Sequence, residues 1–432
     1  MKLNHPQKIL IFKIIFLLNI LFLSPNNSFA IERNANSNLR DLAKSGNLEA
    51  QKKLAYEYFM GKKRQRNYNL AVYWFKKAAA QNDAFAKFNL AVCYSKGYGV
   101  KENKYQSFLL CKEAAKTIPD AKYMLANFYE TGISPVNANK KKFLNPDFKK
   151  AITLYKELLS QNNYKEARYS LAKLLLKIPN GTEADKAYAI KLLNEAIKNK
   201  DSYAMNFLAD CYYAGNGVPQ SFKKMFYWLK QSSLLNNNHA IARLAYCYWH
   251  GYGTKRNRKL AFKLFKHAAK AHEPMAMNQM GDFYATGEFV EENLATAIEW
   301  YKKAAEEKNT QAIFTLGSFY VKGIYFKKAI EKASRLFHQA ALLNHSQAQY
   351  EFALMLLAGA GVKTNFNLAF YWFEKSALND HAPAQRELAN CYIKGIGTLK
   401  NQEKAIFWLK KAAKNGDKKA KDIYRQLSNL KK

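Results

Sequence analysis

Ala204, Ala240, Ala276, Ala312, Ala348 and Ala384 stand 36 residues apart without a break. Ala50, Ala86, Ala121 and Ala167 lead into them at spacings of 36, 35, 46 and 37 residues. A period of this length constrains folding severely. One such unit is too small to bury its own apolar face, so the units must stack on one another to make a core.

The columns around the alanine define the unit. Four residues on stands a large apolar side chain (Leu54, Leu90, Leu244, Met280, Phe352), followed by alanine or glycine (Ala55, Ala245, Gly281, Gly317). Eight residues on stands tyrosine in most copies, as in Tyr58, Tyr94, Tyr248 and Tyr392. Positions i, i+4 and i+8 share one helical face, and this is the buried stripe of a first helix. The small column is expected to let a neighbouring backbone approach closely. Eleven residues on, glycine recurs (Gly61, Gly97, Gly251, Gly395) and is expected to end the helix in the left-handed conformation. A second helix follows with Ala71, Trp74, Phe75, Ala78 and Ala79, or Ala405, Trp408, Leu409, Ala412 and Ala413, on one face.

Segments such as AKFNLAVCYSKGYGVKENKYQSFLLCKEAA and AMNQMGDFYATGEFVEENLATAIEWYKKAA resemble Sel1-like repeats, relatives of tetratricopeptide repeats. The resemblance implies an all-α fold, a right-handed α-solenoid of about ten helix–turn–helix units over residues 50–416. They begin near 50, 86, 121, 167, 204, 240, 276, 312, 348 and 384. Residues 31–49 read as an N-terminal half-repeat cap. Residues 417–432 read as a basic capping helix with Ile423, Leu427 and Leu430 on one face. Two units depart from the pattern: the third inserts nine residues between Gly132 and Ala151, and the fourth carries KIPNGTEAD in place of its glycine.

Ahead of the repeats, lysines at 2, 8 and 13 accompany an apolar stretch, Ile14–Leu23, that is too short to span a bilayer comfortably. With Ser28 and Ala30 as the small-x-small pattern, residues 1–30 read as a signal peptide cleaved between Ala30 and Ile31. The protein is therefore expected in the periplasm or outside the cell, the alternative being an uncleaved N-terminal membrane anchor. The chain carries 69 Lys+Arg against 33 Asp+Glu, a net charge of +36. That surface attracts acidic proteins, anionic membrane or lipopolysaccharide head groups, unless the lysine excess reflects coding bias alone. Nucleic acid is a disfavoured partner, because the aromatics fall mostly in core columns and export removes the usual targets.

The chemistry-bearing residues disperse on inspection. Cys93, Cys211, Cys247 and Cys391 share one apolar column with Phe128 and Phe283, where a free thiol packs as a small hydrophobe. Cys111, on the second helix of its unit, leaves Cys93–Cys111 as the single candidate disulfide. Some secreted Sel1-like proteins staple each repeat with a cysteine pair, and this chain lacks that arrangement. The histidines form no metal-binding pattern, the Gly-x-Gly turns follow helices rather than strands, and Ser-x-x-Lys at Ser170, Ser221 and Ser428 lacks its companion motifs. No catalytic, metal or cofactor site is expected. First-helix positions two and six past the alanine vary between copies and are the candidate partner-binding set: Asn127, Asn206, Asp210, Tyr246, Asn278, Asp282, Arg386 and Asn390. The resemblance implies a non-enzymatic scaffold holding a protein or peptide on an extended concave surface and, with the export that the leader implies, a role in bacterial envelope function or host interaction and virulence. The alternative is an envelope enzyme, or an enzyme regulator, acting on peptidoglycan or β-lactams. Within the stretch LAYCYWHGYGTKRNRK (244–259), the repeat pattern leaves Trp249, His250 and the basic run unaccounted for.

Overall fold

The computed structural model describes residues 38–133, 144–162, 164–178 and 181–429. The leader with its Ala30–Ile31 junction, residues 134–143 of the insertion, and Leu430 lie outside the described residues. Residues 38–44 are helical, and twenty-one further helices run from Leu48 to Asn429. They alternate as first and second members of ten hairpins, Leu48–Met60 with Tyr68–Ala80 through Ala382–Lys394 with Gln402–Lys414, followed by Lys418–Asn429. The chain is an all-α solenoid, in two compact units that divide between Ser221 and Phe222.

In the first unit the columns are buried as the spacing requires. Ala50, Leu54, Ala55 and Tyr58 pack with Ala71, Trp74, Phe75 and Ala78 of the partner helix. Phe75 is wholly inaccessible, as are Ala71 and Ala78 beside it. Burying a phenylalanine of this kind contributes roughly 1.5–3 kcal/mol. The insertion is stitched at its base by an isolated antiparallel bridge, Ile133 with Leu144, through N–H···O contacts of 2.7 and 3.0 Å. Asp147 N–H then donates to Tyr129 carbonyl at 2.7 Å, the same closing bond that Asn103 makes to Tyr94 at 2.8 Å. The repeat resumes with the second helix at Phe148.

In the second unit the same lattice explains both the small column and the turn. The group pressing on the small residue is an aromatic ring of the partner helix, not a backbone as the spacing alone suggested. A Cβ on Gly281 would lie 2.5 Å from the Tyr301 ring, and one on Gly317 would lie 2.8 Å from the Phe337 ring. Gly251 ends its helix at φ 82°, as expected. Gly253, two residues later, has a different duty. It is left-handed at φ 70°, and it lies against the first residue of the preceding second helix, where a Cβ would meet the Phe222 carbonyl oxygen at 2.1 Å. The Gly-x-Gly turn is therefore a helix stop followed by a clasp between consecutive repeats. Its middle residue meets the same neighbour: Tyr252 stacks on Phe222 with ring centroids 5.3 Å apart.

The final helix, Lys418–Asn429, repeats the first-helix pattern once more, with Ala420 fully buried 36 residues after Ala384. Ile423, Tyr424 and Leu427 pack against the core of the second unit.

Candidate interaction surface

Capping comes first, because it decides which polar residues are free. In seven of the ten repeats the residue before the first helix accepts a hydrogen bond from the N–H of the recurring alanine; Ile118, Tyr164 and His381 make no such side-chain cap. Examples are Asn47 from Ala50 at 2.9 Å, Asp83 from Ala86 at 2.7 Å and Glu273 from Ala276 at 2.8 Å. These caps satisfy helix-end donors that would otherwise be buried without partners. The second helices use asparagine in the same way: Asn257 accepts from Leu260 N–H and Asn293 from Thr296 N–H, both at 2.9 Å. The columns read from alanine onward missed these caps, although an Asn or Asp directly ahead of each apolar run is their signature. At His345 the cap is an imidazole: Nδ1 accepts from Ala348 N–H at 3.1 Å and Nε2 faces Gln311 at 3.2 Å.

The candidate binding positions are largely enlisted in the same internal wiring. Tyr155 and Tyr301 each occupy a buried second-helix position held by Phe75, Phe265 and Phe373 in other copies. Each hydroxyl needs an acceptor. The single Tyr155 hydroxyl proton is shared between Asn127 Oδ1 at 2.9 Å and Glu130 Oε2 at 3.0 Å, while Tyr301 donates to Asp282 at 2.7 Å. Burial raises the Asp282 carboxyl above its ordinary range, and the Tyr301 hydrogen bond opposes that rise. Asn278 is buried beside it, with Nδ2 3.4 Å from Asp282. Arg386 reaches Asp417 at 2.6 Å, the cap of the final helix, and Asn390 donates to Glu387 at 3.0 Å. Asn206 is buried, Asp210 half-buried, and Tyr246 alone of the eight is exposed, at 42%. Variation along this face tracks what each repeat packs beneath it.

Tyr246 belongs to the turn that the repeat pattern left unexplained. Its ring lies 4.2 Å from His250, His250 stacks at 5.4 Å on Tyr252, and Tyr252 stacks on Phe222, a row of four rings across one repeat junction. Burial, then Arg256 and Arg258, hold the His250 imidazole below its ordinary value, disfavouring its charged form. On the other side of the turn the Arg258 guanidinium lies 4.8 Å from the Trp249 ring centroid and 3.0 Å from Glu288. Phe289 occupies the clasp position at φ 66°, where Gly99, Gly217, Gly253, Gly361 and Gly397 stand in five other copies, and stacks on Phe262 at 5.4 Å. A bulky residue held left-handed is costly, and the ring packing offsets that cost. Lys255, Arg256 and Lys259 are exposed at the rim. The arrangement sets three exposed cations beside a row of aromatic rings, and their charge attracts anions.

The thiols are inert by environment. Cys93 and Cys111 are both free in the structure, and each sits wholly buried in a packing position. Burial pushes both thiols up to about 12, which suppresses the thiolate that disulfide exchange requires. Ser170 of the Ser-x-x-Lys segment is buried, its hydroxyl 2.8 Å from that of Tyr123, while Lys173 lies 3.9 Å from Glu130. Among the described residues no group of three or more His, Cys, Asp or Glu is placed to hold a metal ion, and no helix is long and apolar enough to cross a membrane.

Stacked helical hairpins with glycine turns and capped, alanine-centred first helices define a tetratricopeptide-like repeat protein. The Sel1 repeat model matches ten consecutive segments, 48–83, 84–116, 119–163, 165–201, 202–237, 238–272, 274–309, 310–345, 346–381 and 382–417, and the chain belongs to the Sel1 repeat family. It is 32% identical over 103 residues to a sel1-like repeat-containing protein, R815, of Acanthamoeba polyphaga mimivirus; the match covers 23% of this chain and 19% of that protein. The chain thus spans about a fifth of that relative's length. Among solved structures it is similar to c5321, a protective antigen present in uropathogenic Escherichia coli strains, at 23% identity with TM-score 0.46, covering 92% of this chain and 90% of that one. A Sel1 repeat protein from Oxalobacter formigenes is 27% identical with TM-score 0.45, covering 61% of this chain and 99% of the other. Sel1 repeat proteins generally serve as protein-interaction scaffolds.

Proposed function

We propose that this protein is an exported scaffold whose turn edge holds an acidic protein or peptide partner, in bacterial envelope function or host interaction. One observation carries the reading. In the second unit, exposed cations recur at turn positions related by the 36-residue period: Lys255 and Arg256, Lys327 and Lys328 two periods on, Lys363 one period after Lys327, and Lys400 in the register of Arg256 and Lys328. The seventh turn breaks the series with Glu291 and Glu292, so the edge carries a sign pattern rather than a uniform charge. Sign patterns of this kind select partners by complementarity and steer their approach. The partner contact thereby moves from the first-helix face, which is occupied by internal hydrogen bonds, to the turns. The leader and the charge support export and an acidic partner, respectively.

The test is crosslinking and capture from native envelope and culture medium, comparing the wild type with K255E/R256E. Recovery of one stoichiometric acidic protein by the wild type, lost in the variant, is the expected result. Equal recovery by both would move the contact elsewhere. Catalytic turnover by the purified protein that vanishes on changing one serine or glutamate would overturn the scaffold reading.

A further inference from the structure

We propose that the outward stripe of the last three second helices is a docking face for an anionic phospholipid bilayer. Positions three, six, ten and thirteen of a helix fall within an arc of about 80°. In Ile330–Leu342 they are Lys332, Arg335, Gln339 and Leu342; in Phe366–Leu378 they are Leu368, Tyr371, Lys375 and Leu378. In Gln402–Lys414 they are Lys404, Phe407, Lys411 and Lys414. The stripe holds six cations, five apolar side chains, one glutamine and no acid.

Its apolar members are exposed where the core has no use for them. Leu342 is 62% exposed, Leu378 57%, Phe407 60%, Tyr371 43% and Leu368 37%. The inward faces of the same helices are already filled by Phe337, Phe373 and Leu409, which are almost wholly buried. Acids stand at the margins: Arg335 lies 3.9 Å from Glu331 and Lys411 lies 3.0 Å from Asp380. Four of the six cations rest on aromatic faces: Lys332 Nζ lies 5.6 Å from the Tyr320 centroid, Lys375 5.4 Å from Tyr371, Lys404 5.4 Å from Tyr392 and Lys411 5.3 Å from Trp408. The equivalent stripe of Leu294–Glu306 carries Glu299 and Glu306, which sets the last three helices off from the acid-free stripes of Phe222–Leu234 and Arg258–Lys270 before it.

Cations interleaved with leucine, tyrosine and phenylalanine suit the boundary between head groups and acyl chains. There the apolar groups enter the membrane and the ammonium groups reach lipid phosphates. An anionic bilayer also demands no register, so six cations contribute without each needing a fixed acidic partner.

The experiment is co-sedimentation of the full chain with vesicles of phosphatidylcholine alone and of phosphatidylcholine mixed with phosphatidylglycerol. The wild type is compared with L378S/F407S, with K375E/K404E, and with K62E/K63E, which makes the same charge change in the first repeat. The apolar segment Ile14–Leu23 is common to all four proteins, so differences between them report on the repeats. Partition into the anionic vesicles is expected to fall by roughly tenfold or more in both stripe variants and far less in K62E/K63E. Thermal midpoints should stay unchanged, because the substituted side chains are exposed; the single F407S replaces any variant that melts early. Equal loss in K62E/K63E, or no loss in L378S/F407S, overturns the proposal. So does a stripe variant that keeps its vesicle binding while losing an acidic protein captured by the wild type, which would assign the stripe to that protein.

Discussion

Gly253 and Phe222 are locked together across a repeat junction: a Cβ on the glycine would lie 2.1 Å from the phenylalanine's carbonyl oxygen. The contact is with backbone, which cannot rotate away as a side chain can. G253A is therefore expected to destabilise the second unit by about 2–4 kcal/mol, combining left-handed strain with a steric clash. G251A meets nothing closer than 3.5 Å and should cost only about 1 kcal/mol, the conformational part alone. Chemical denaturation followed by circular dichroism separates the two; equal shifts in midpoint would refute the clasp.

The small column answers to the ring above it. G281A drives a methyl group into the Tyr301 ring and should destabilise by about 1–3 kcal/mol. G281A combined with Y301L should lose less than the sum of the two single changes, because the smaller side chain relieves the crowding. Additive losses in a double-mutant cycle would show that the two positions do not interact.

His345 should make stability depend on pH. Burial, then His381, lowers its pKa below the ordinary value of 6.5, and its Nδ1 must stay unprotonated to accept from Ala348 N–H. A folded-state pKa below the unfolded one means that the contribution is present above about pH 6.5 and is lost as pH falls through the folded value. H345N keeps a capping acceptor without the titration. Between pH 7.5 and pH 5 the wild type should lose more stability than H345N. Parallel losses would show that this imidazole does not titrate against the cap.

Thiol chemistry gives a direct check on the core. All five cysteines are free and buried, with Cys93, Cys111, Cys211 and Cys391 raised to about 12 and Cys247 to about 11. At pH 8 native protein should react with iodoacetamide very slowly at every one of them, and denatured protein should take up five equivalents. Mass spectrometry after alkylation without reductant distinguishes this from a Cys93–Cys111 bridge, which would leave three.

The architecture was readable in the residues because a repeat writes each structural requirement many times. Ala240, Leu244, Ala245 and Tyr248 stand one helical turn or one residue apart, and that spacing alone places them on one buried face. Local chemistry likewise determined where helices stop, since only glycine adopts the conformation of Gly251 at little cost. The surface could not be read in this way. Asn127 and Asp282 vary between copies as a binding face would, yet each is the acceptor for a tyrosine 28 or 19 residues further along the chain. Whether a variable polar side chain faces a partner or a buried hydroxyl depends on what packs beneath it. That is a relation between helices, and it exists only once they are stacked. The same holds for the second glycine of the turn and for the exposure of Leu378 and Phe407. Periodicity determined the folded unit, because helical geometry is local; the tertiary structure decided which residues remain free to meet another molecule, because burial is not.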